Sequence, residues 1–248
     1  MCSQNKSRKS PHYGYYALGI LMGIAAVFVL AGMAVAAFIS RYVGIAMCAF
    51  GGYLIGTYLI SLYWFNQSKA FDFSPFLTLQ GTERVLDVGC GLGKMTVGAA
   101  AQLTTGKAIG IDIWNTVEIP GNSPVAAYEN ARAEGMGDKV EFLSGNVLDL
   151  PFKDNTFDLV TSGSVLNNVS GTEGKIRALE EIYRVLTPGG RLFLLEPLRN
   201  LRGFIIFSPF AFSQLLSRKT WTELLEKVHF ANVKYYYNGA GIFIVQKL

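Results

Sequence analysis

Acidic residues are missing from the first part of the chain: all 18 aspartates and glutamates lie beyond position 70. Histidine is nearly absent, with only His12 and His229, far apart and without ligand-like spacing. Cysteine is scarce: Cys2 is near the start, Cys48 lies in an apolar run and Cys90 sits in a glycine-rich turn. No CxxC pair occurs, so neither a stapled secreted fold nor a structural zinc site is expected, and no metal is assigned. A basic excess is missing from the larger part of the chain. The formal net charge is +4, but 17 of the 22 lysines and arginines lie after residue 70, where the acids balance them. That part is close to neutral and lacks the footprint of a nucleic-acid binder. Charge is also missing between Tyr15 and Phe65, where Arg41 stands alone.

What fills that stretch is apolar. The mean hydropathy of +0.29 is high for a soluble enzyme, and the excess is local. Residues 15–39 and 43–65 are two apolar runs, broken at Ser40, Arg41 and Tyr42. A helix needs roughly 20 such residues to cross a bilayer, so residues 1–66 read as an anchor of two transmembrane helices. Buried core helices are usually shorter and more polar. A cleaved leader does not fit, because the apolar region is too long and no small-residue cleavage site follows. Lys6, Arg8 and Lys9 precede the first run and Lys69 follows the second, which places both termini and the remaining domain in the cytoplasm. Gly19/Gly23 and Gly52/Gly56 have the small-xxx-small spacing of closely packed membrane helices. Tyr13, Tyr15, Tyr16, Tyr63 and Trp64 fall near the ends, where aromatic rings favour the interface. Residues 67–82 read as a linker, with a short helix near Pro75–Leu79 at the membrane surface.

From residue 83 to 248 strand-like and helix-like runs alternate. The strands are expected at Arg84–Val88, Ala108–Ile111, Val140–Leu143, Phe157–Thr161, Arg191–Leu195, Val233–Tyr237 and Gly241–Gln246. The helices are expected at Lys94–Leu103, Pro124–Ala133, Thr172–Leu186 and Thr220–Val228. Ser123 before Pro124 is a good helix start, and "TPGG" at 187–190 a sharp turn. This alternation points to an α/β fold, a doubly wound sheet whose ligand sits beyond the carboxyl ends of the strands.

"VLDVGCGLGK", residues 85–94, delivers its glycines at that edge. A P-loop fails, because Val88 stands where its first glycine belongs and Met95 where Ser or Thr would follow the lysine. The glycines read GxGxG and not the GxGxxG of a dinucleotide fold, and no Tyr-xxx-Lys pair follows residue 70. An acid just before close-approach glycines suits a group carrying both ammonium and carboxylate. Asp112, ending "AIGID", can accept from two ribose hydroxyls, a role that an NAD enzyme would share. Two further motifs follow, "SGNVLDLPFKDNTFDLVTSGSVLNN" from Ser144 and "EEIYRVLTPGGRLFLLEP" from Glu180.

With these four motifs in order, residues 82–248 resemble a class I S-adenosylmethionine-dependent methyltransferase, nearest the small-molecule branch that includes quinone-biosynthesis enzymes. Residues 81–168 also resemble little-characterised membrane-anchored members with "IW" after the ribose acid and a "GNSP" loop. The resemblance implies a Rossmann-like seven-stranded sheet of order 3-2-1-4-5-7-6 with the last strand antiparallel. It implies S-adenosyl-L-methionine as cofactor. Asp87, Gly89, Cys90, Gly91 and Gly93 would surround its methionine end, Asp112 its ribose, and Ile113 or Trp114 its adenine. Asn146 stands where an aspartate is common, near the adenine amine, with the Val147 backbone beside it and Asp149 as a second candidate. Ser162 and Gly163 would pass under the sulfonium. Trp114 reads equally as pocket wall or packing, Cys90 as a packing residue, Asp158 as structural and His229 as part of the last helix.

Methyl transfer needs alignment more than a base, so the lack of an obvious catalytic pair does not argue against an enzyme. The Asn/Asp-Pro-Pro-Tyr signature of amino-group methylation in nucleic acid or protein is absent; residues 162–165 take its place. Asn167 and Glu196 are the candidates facing the acceptor, although both could instead organise loops. "LRGFIIFSPFAF", residues 201–212, is too short to span and reads as a core helix, a lid or a surface dipping into lipid. The expectation is a membrane-anchored enzyme with a hydrophobic acceptor: a quinone precursor, a lipid or an apolar thiol. A tethered non-catalytic binder of the cofactor and an NAD(P)-dependent oxidoreductase are the alternatives.

Overall fold

The computed structural model describes residues 10–15, 18–64, 67–206 and 212–248. Lys6, Arg8, Lys9, Tyr16, Phe65 and residues 207–211 of the late apolar stretch lie outside the described residues. Two long helices come first, α1 (Leu18–Phe38) and α2 (Arg41–Trp64). The amides of Ile39 and Ser40 both return to the Val35 carbonyl, at 3.0 and 2.8 Å, which closes the tight turn between them. Both helices are long and apolar enough to cross a membrane. Their outer faces are open: Val27, Leu30, Met33 and Phe38 on α1, and Tyr42, Ile45 and Leu59 on α2, are all exposed. A helix at the centre of a soluble core would hide these side chains.

The helices do pack together, but not through the glycines expected. A Cβ on Gly19, Gly23, Gly52 or Gly56 would meet nothing within 4 Å. The close approach belongs to Gly32, Gly44 and Gly51. A Cβ on Gly44 would lie 2.3 Å from the Ala36 amide nitrogen, and one on Gly32 2.8 Å from Cys48 Sγ. The short turn fixes the register of the hairpin and brings these glycines to the seam, whereas spacing alone cannot tell which face of a helix meets its partner.

The rest is a seven-stranded sheet in the order β3-β2-β1-β4-β5-β7-β6, as the motifs implied. Its strands are β1 (Arg84–Val88), β2 (Lys107–Asp112), β3 (Val140–Ser144), β4 (Phe157–Gly163), β5 (Leu186–Glu196), β6 (Phe230–Tyr237) and β7 (Gly241–Lys247). β7 runs antiparallel to both β5 and β6, while the other neighbours are parallel. The helices of this part are α3 (Lys94–Gln102), α4 (Pro124–Ala133), α5 (Gly171–Val185), α6 (Leu201–Ile206) and α7 (Arg218–Lys227). Ser123 caps α4 as read from the sequence, accepting from the Ala126 amide at 3.2 Å with Pro124 in the first turn.

Two expectations change. "TPGG" is not a turn ahead of β5 but a bulge inside it: Phe157 pairs with Leu186 and Leu159 with Arg191, so the extra residues loop out of register. Residues 75–79 form no helix. Residues 74–76 form a turn instead, in which the Phe76 and Leu77 amides return to the Phe73 carbonyl, and 77–79 are irregular. Nor is the linker a surface tether. Phe71, Phe73 and Phe76 surround Phe193 of β5 with ring centroids 5.0–5.9 Å away, and Phe73 is buried. Edge-to-face aromatic packing of this kind adds about 0.5–1.5 kcal/mol per pair beyond area burial, which outweighs the weak helix preference of a segment with Pro75 in it. Leu179, Ile182, Trp221, Leu225 and Phe243 fill one core cluster; Val97, Ala99, Ala108, Leu159 and Phe193 belong to the other.

Overpacking a tight contact costs about 1–3 kcal/mol. Gly44→Val is therefore expected to lower the melting temperature of the detergent-solubilised chain by several degrees. Gly52→Val, made where there is open space, should leave it unmoved, and equal effects would show that the seam lies elsewhere.

Candidate active site

The parallel register sets Val88 between Ile111 and Ser162, so the tips of β1, β2 and β4 converge on one edge of the sheet. Asp87, one residue inside the β1 tip, is buried. Thr96 Oγ1 donates to its Oδ2 at 2.6 Å and Thr161 Oγ1 to its Oδ1 at 2.9 Å. Burial pushes its pKa up to about 6, against these two bonds, with the nearby Asp112 adding to the rise. A cationic group brought to this edge would hold the carboxylate charged.

The glycine turn then leaves β1. The amides of Gly89 and Cys90 both donate to the Ile111 carbonyl, at 2.8 and 3.0 Å. Gly89 has φ +68°, and a Cβ there would strike Val165 Cγ2 at 2.3 Å, so glycine is required twice over. Gly91 and Gly93 are also left-handed. The Cys90 thiol is buried and its pKa is raised, chiefly by desolvation, which makes it a packing group and not a nucleophile.

Asp112 ties the neighbouring loops to this turn. Its Oδ2 accepts from the Gly91 amide at 2.9 Å. Its Oδ1 accepts from the Trp114 amide at 2.7 Å and from Asn122 Nδ2 at 3.1 Å. Trp114 sits at φ +58°, a conformation costly for a bulky residue, and its ring is pinned by Nε1 donating to Ser144 Oγ at 3.0 Å. Ile113 beside it is 65% exposed. A fixed indole and an open aliphatic chain next to Asp112 make an apolar wall at the β2 tip. The Gly145 amide bonds the Asp112 carbonyl at 3.1 Å, which brings 145–147 alongside. Asn146 is exposed, and its Oδ1 accepts from the Leu148 amide at 3.0 Å in its own turn. Asp149 is exposed and bridges Asn146 through the backbone. The Val147 side chain packs into the core.

On the β4 side, Ser162 is buried and its hydroxyl has no partner. A Cβ on Gly163 would meet Met95 Sδ at 2.4 Å. Glu196, at the end of β5, is fully buried. Its Oε1 accepts from the Val165 and Leu166 amides at 3.0 and 2.7 Å, while Oε2 is unpartnered. Burial pushes its pKa up to about 8. Asn167 is turned inward as well, with Nδ2 donating to the Pro197 carbonyl at 2.9 Å. Lys175 Nζ donates to the carbonyls of Asn167 and Val169. Both acceptor-side candidates thus hold the 164–169 loop to the end of β5, the loop-organising alternative weighed in the sequence. Asp158 accepts from the Arg84 amide, a strand-edge role, and His229 is exposed at the end of α7.

Four residues of this site escaped the sequence reading. Thr96 and Thr161 orient Asp87, and Asn122 orients Asp112. Asn130 on α4 donates to the carbonyls of Leu92 at 3.0 Å and His12 at 2.9 Å, and accepts from the His12 amide at 2.9 Å. The segment before α1 is thereby strapped over the glycine turn. Ile119 bridges the two: it would contact a Cβ on Gly14 at 2.8 Å and one on Gly91 at 3.2 Å. Only Asn122 carried a signal, as part of "GNSP".

Residues 86–194 match the family described as "Methyltransferase domain". Among curated proteins, the demethylmenaquinone methyltransferase of Symbiobacterium thermophilum is 42% identical over 131 residues, 52% of this chain and 49% of that protein. That of Lactiplantibacillus plantarum is 41% identical over 137 residues, 54% and 51% of the two chains. The chain spans about half the length of these relatives. Among solved structures, a SAM-dependent methyltransferase from Methanosarcina mazei superposes with a TM-score of 0.57 at 24% identity, over 72% of this chain and 99% of that one. An O-methyltransferase family 2 protein from Planctomyces limnophilus gives 0.62 at 19%, over 85% and 69%. These likenesses agree on the fold.

Asp112→Ala is expected to weaken S-adenosylhomocysteine binding by about 100-fold, near 2.7 kcal/mol, in calorimetry, with an unchanged far-ultraviolet spectrum; unchanged affinity would show that Asp112 plays no part in binding. Glu196 gives a pH test. Its folded pKa lies above the unfolded value, so the native state holds the extra proton and loses stability as pH rises towards 8, at up to about 1.4 kcal/mol per unit. Glu196→Gln should melt like the parent near pH 5 and higher than the parent near pH 8.5.

Proposed function

We propose that the chain, whose residues 86–194 match the methyltransferase-domain family, is an S-adenosylmethionine-dependent enzyme that methylates a hydrophobic small molecule while anchored in a membrane by its helical hairpin. The observation that carries this is the joining of an exposed apolar hairpin to the edge of the sheet where Asp87, the glycine turn and Asp112 converge. The similar proteins are demethylmenaquinone methyltransferases, which supports a quinone-like acceptor. The lysines and arginines flanking the hairpin support a cytoplasmic domain with both termini on that side.

The residues present fit the cofactor. The threonine-held Asp87 carboxylate offers a counter-charge for an ammonium, and the turn lets backbone come close where any Cβ at Gly89 would clash. Asp112 would take the ribose, Ile113 and Trp114 the adenine, and the 145–147 backbone its edge. The unpartnered Ser162 hydroxyl supplies a buried polar atom beneath the methionine end. When bound, the cofactor would supply an activated methyl, which an electron pair of the acceptor (a ring π pair in a reduced quinone) would take as the carbon–sulfur pair returns to sulfur, the acceptor's displaced proton leaving to water. The chain's own part is alignment and exclusion of water. Glu196 and Asn167 are positioning residues in this reading, since they fix the 164–169 loop that passes beside the glycine turn through Val165.

The test is a panel of acceptors with methyl-labelled cofactor and purified full-length chain in lipid. Label should enter demethylated quinones or other apolar acceptors; label entering only polar, water-soluble compounds rejects the proposal. Binding of S-adenosylhomocysteine with no turnover on any acceptor would mark a tethered binder, and binding of NADH instead would mark an oxidoreductase.

A further inference from the structure

The short helix α6 follows the end of β5 and packs against α2. Tyr53 Oη donates to the Phe204 carbonyl at 3.0 Å, between residues 151 positions apart. Tyr53 is not at the end of its helix. It lies within the apolar span Arg41–Ile60, roughly 10 Å from the Ile60 end at about 1.5 Å per residue. We infer that α6 is seated in the lipid beside α2, and that a quinone-type acceptor enters the site sideways from the bilayer between these two helices. This rests on the membrane-anchored reading above and deepens it.

Three observations carry the inference. The first is exposure: Leu201 is 75% exposed, and Phe204 stays 44% exposed although Phe212 packs edge-on against it. The second is hydrogen bonding. In hydrocarbon an unmet polar group costs several kcal/mol. The Tyr53 hydroxyl, inside the apolar span, finds its partner in the Phe204 carbonyl of α6, so the two helices meet at that depth. The third is charge. Arg199 and Arg202 lie over the rings of Phe212 and Tyr237, at 6.0 and 5.7 Å. Arginines held on aromatic rings suit the boundary between headgroups and protein.

The other end of α6 leads to the site. Asn200 caps the helix, its Oδ1 accepting from the Gly203 amide at 2.7 Å. Just before it, Pro197 accepts from Asn167 and Glu196 accepts from Val165 and Leu166. A helix seated in the bilayer therefore continues directly into the residues that fix the acceptor-side loop.

The experiment uses the full chain in nanodiscs of phosphatidylethanolamine and phosphatidylglycerol containing a long-tailed demethylmenaquinone. Phe204 is replaced by the photo-crosslinking residue p-benzoylphenylalanine, and Val27 on α1 and Glu223 on α7 are replaced likewise in separate samples. Mass spectrometry reads the adducts. Phe204→p-benzoylphenylalanine should give lipid and quinone adducts, with the quinone share severalfold above that at Val27, while Glu223 gives neither. Lipid adducts at Val27 but not at Phe204 would overturn the seating of α6 and leave the anchor standing. Equal quinone shares at Phe204 and Val27 would overturn sideways entry. No lipid adduct at either position would mean that the anchor reading itself fails. Leu201→p-benzoylphenylalanine, on the same exposed side, serves if the Phe204 replacement does not fold.

Discussion

One carboxylate holds this site together. Asp112 receives the amide of the glycine turn, the amide of Trp114 and the side chain of Asn122, so three stretches of chain are set by a single side chain at a strand tip. A charged acceptor strengthens each such bond, and each donor left without it would be a buried polar group unmet. The strained backbone at Trp114 is tolerable only because this anchor and the Ser144 bond over-determine it. The same edge is reached from beneath by Asp87, whose burial pushes its pKa up to about 6 in spite of the bonds from two hydroxyls. The two acids divide the work: one shapes the loops, the other is poised to answer a positive charge.

Much of this was legible in the sequence, for a physical reason. Strand alternation, the capping serine before a proline and left-handed glycines are local signals, set by a few neighbouring residues. They located all seven strands, the start of α4 and the glycine turn. What escaped depended on contacts between distant segments. Gly44 is a seam residue and Gly52 is not, though both are glycines in one apolar helix. Phe71, Phe73 and Phe76 look like a linker until Phe193, far along the chain, gives them something to cover. Thr96 and Thr161 are ordinary threonines until the fold sets them on either side of Asp87. Asn167 and Glu196 were found as candidates by position, but whether a side chain faces a cavity or a backbone is decided by packing.

The hairpin is not merely appended to the sheet. Before it, His12 is bonded to Asn130, and Tyr13 donates its amide to the Gln67 carbonyl. After it, the Phe71 amide donates to the Lys94 carbonyl, and Ala70 and Tyr13 share the Glu134 carboxylate. Both ends of the hairpin are stitched to α3 and α4, the helices next to the glycine turn. The domain is consequently held in one orientation relative to α1 and α2, which a flexible tether could not do. The contact between Tyr53 and Phe204 adds a third fixed point, through α6.

The strap from His12 to Asn130 bears on how the molecule assembles. Its partners are 118 residues apart in sequence. At the pace of synthesis, about 5–20 residues per second, the strap waits on the order of ten seconds for α4 to exist. Contacts of such long range are slow to form even in a finished chain. The glycine turn itself is completed only when β4 and Val165 follow, so its strap and its far wall both await segments made after it.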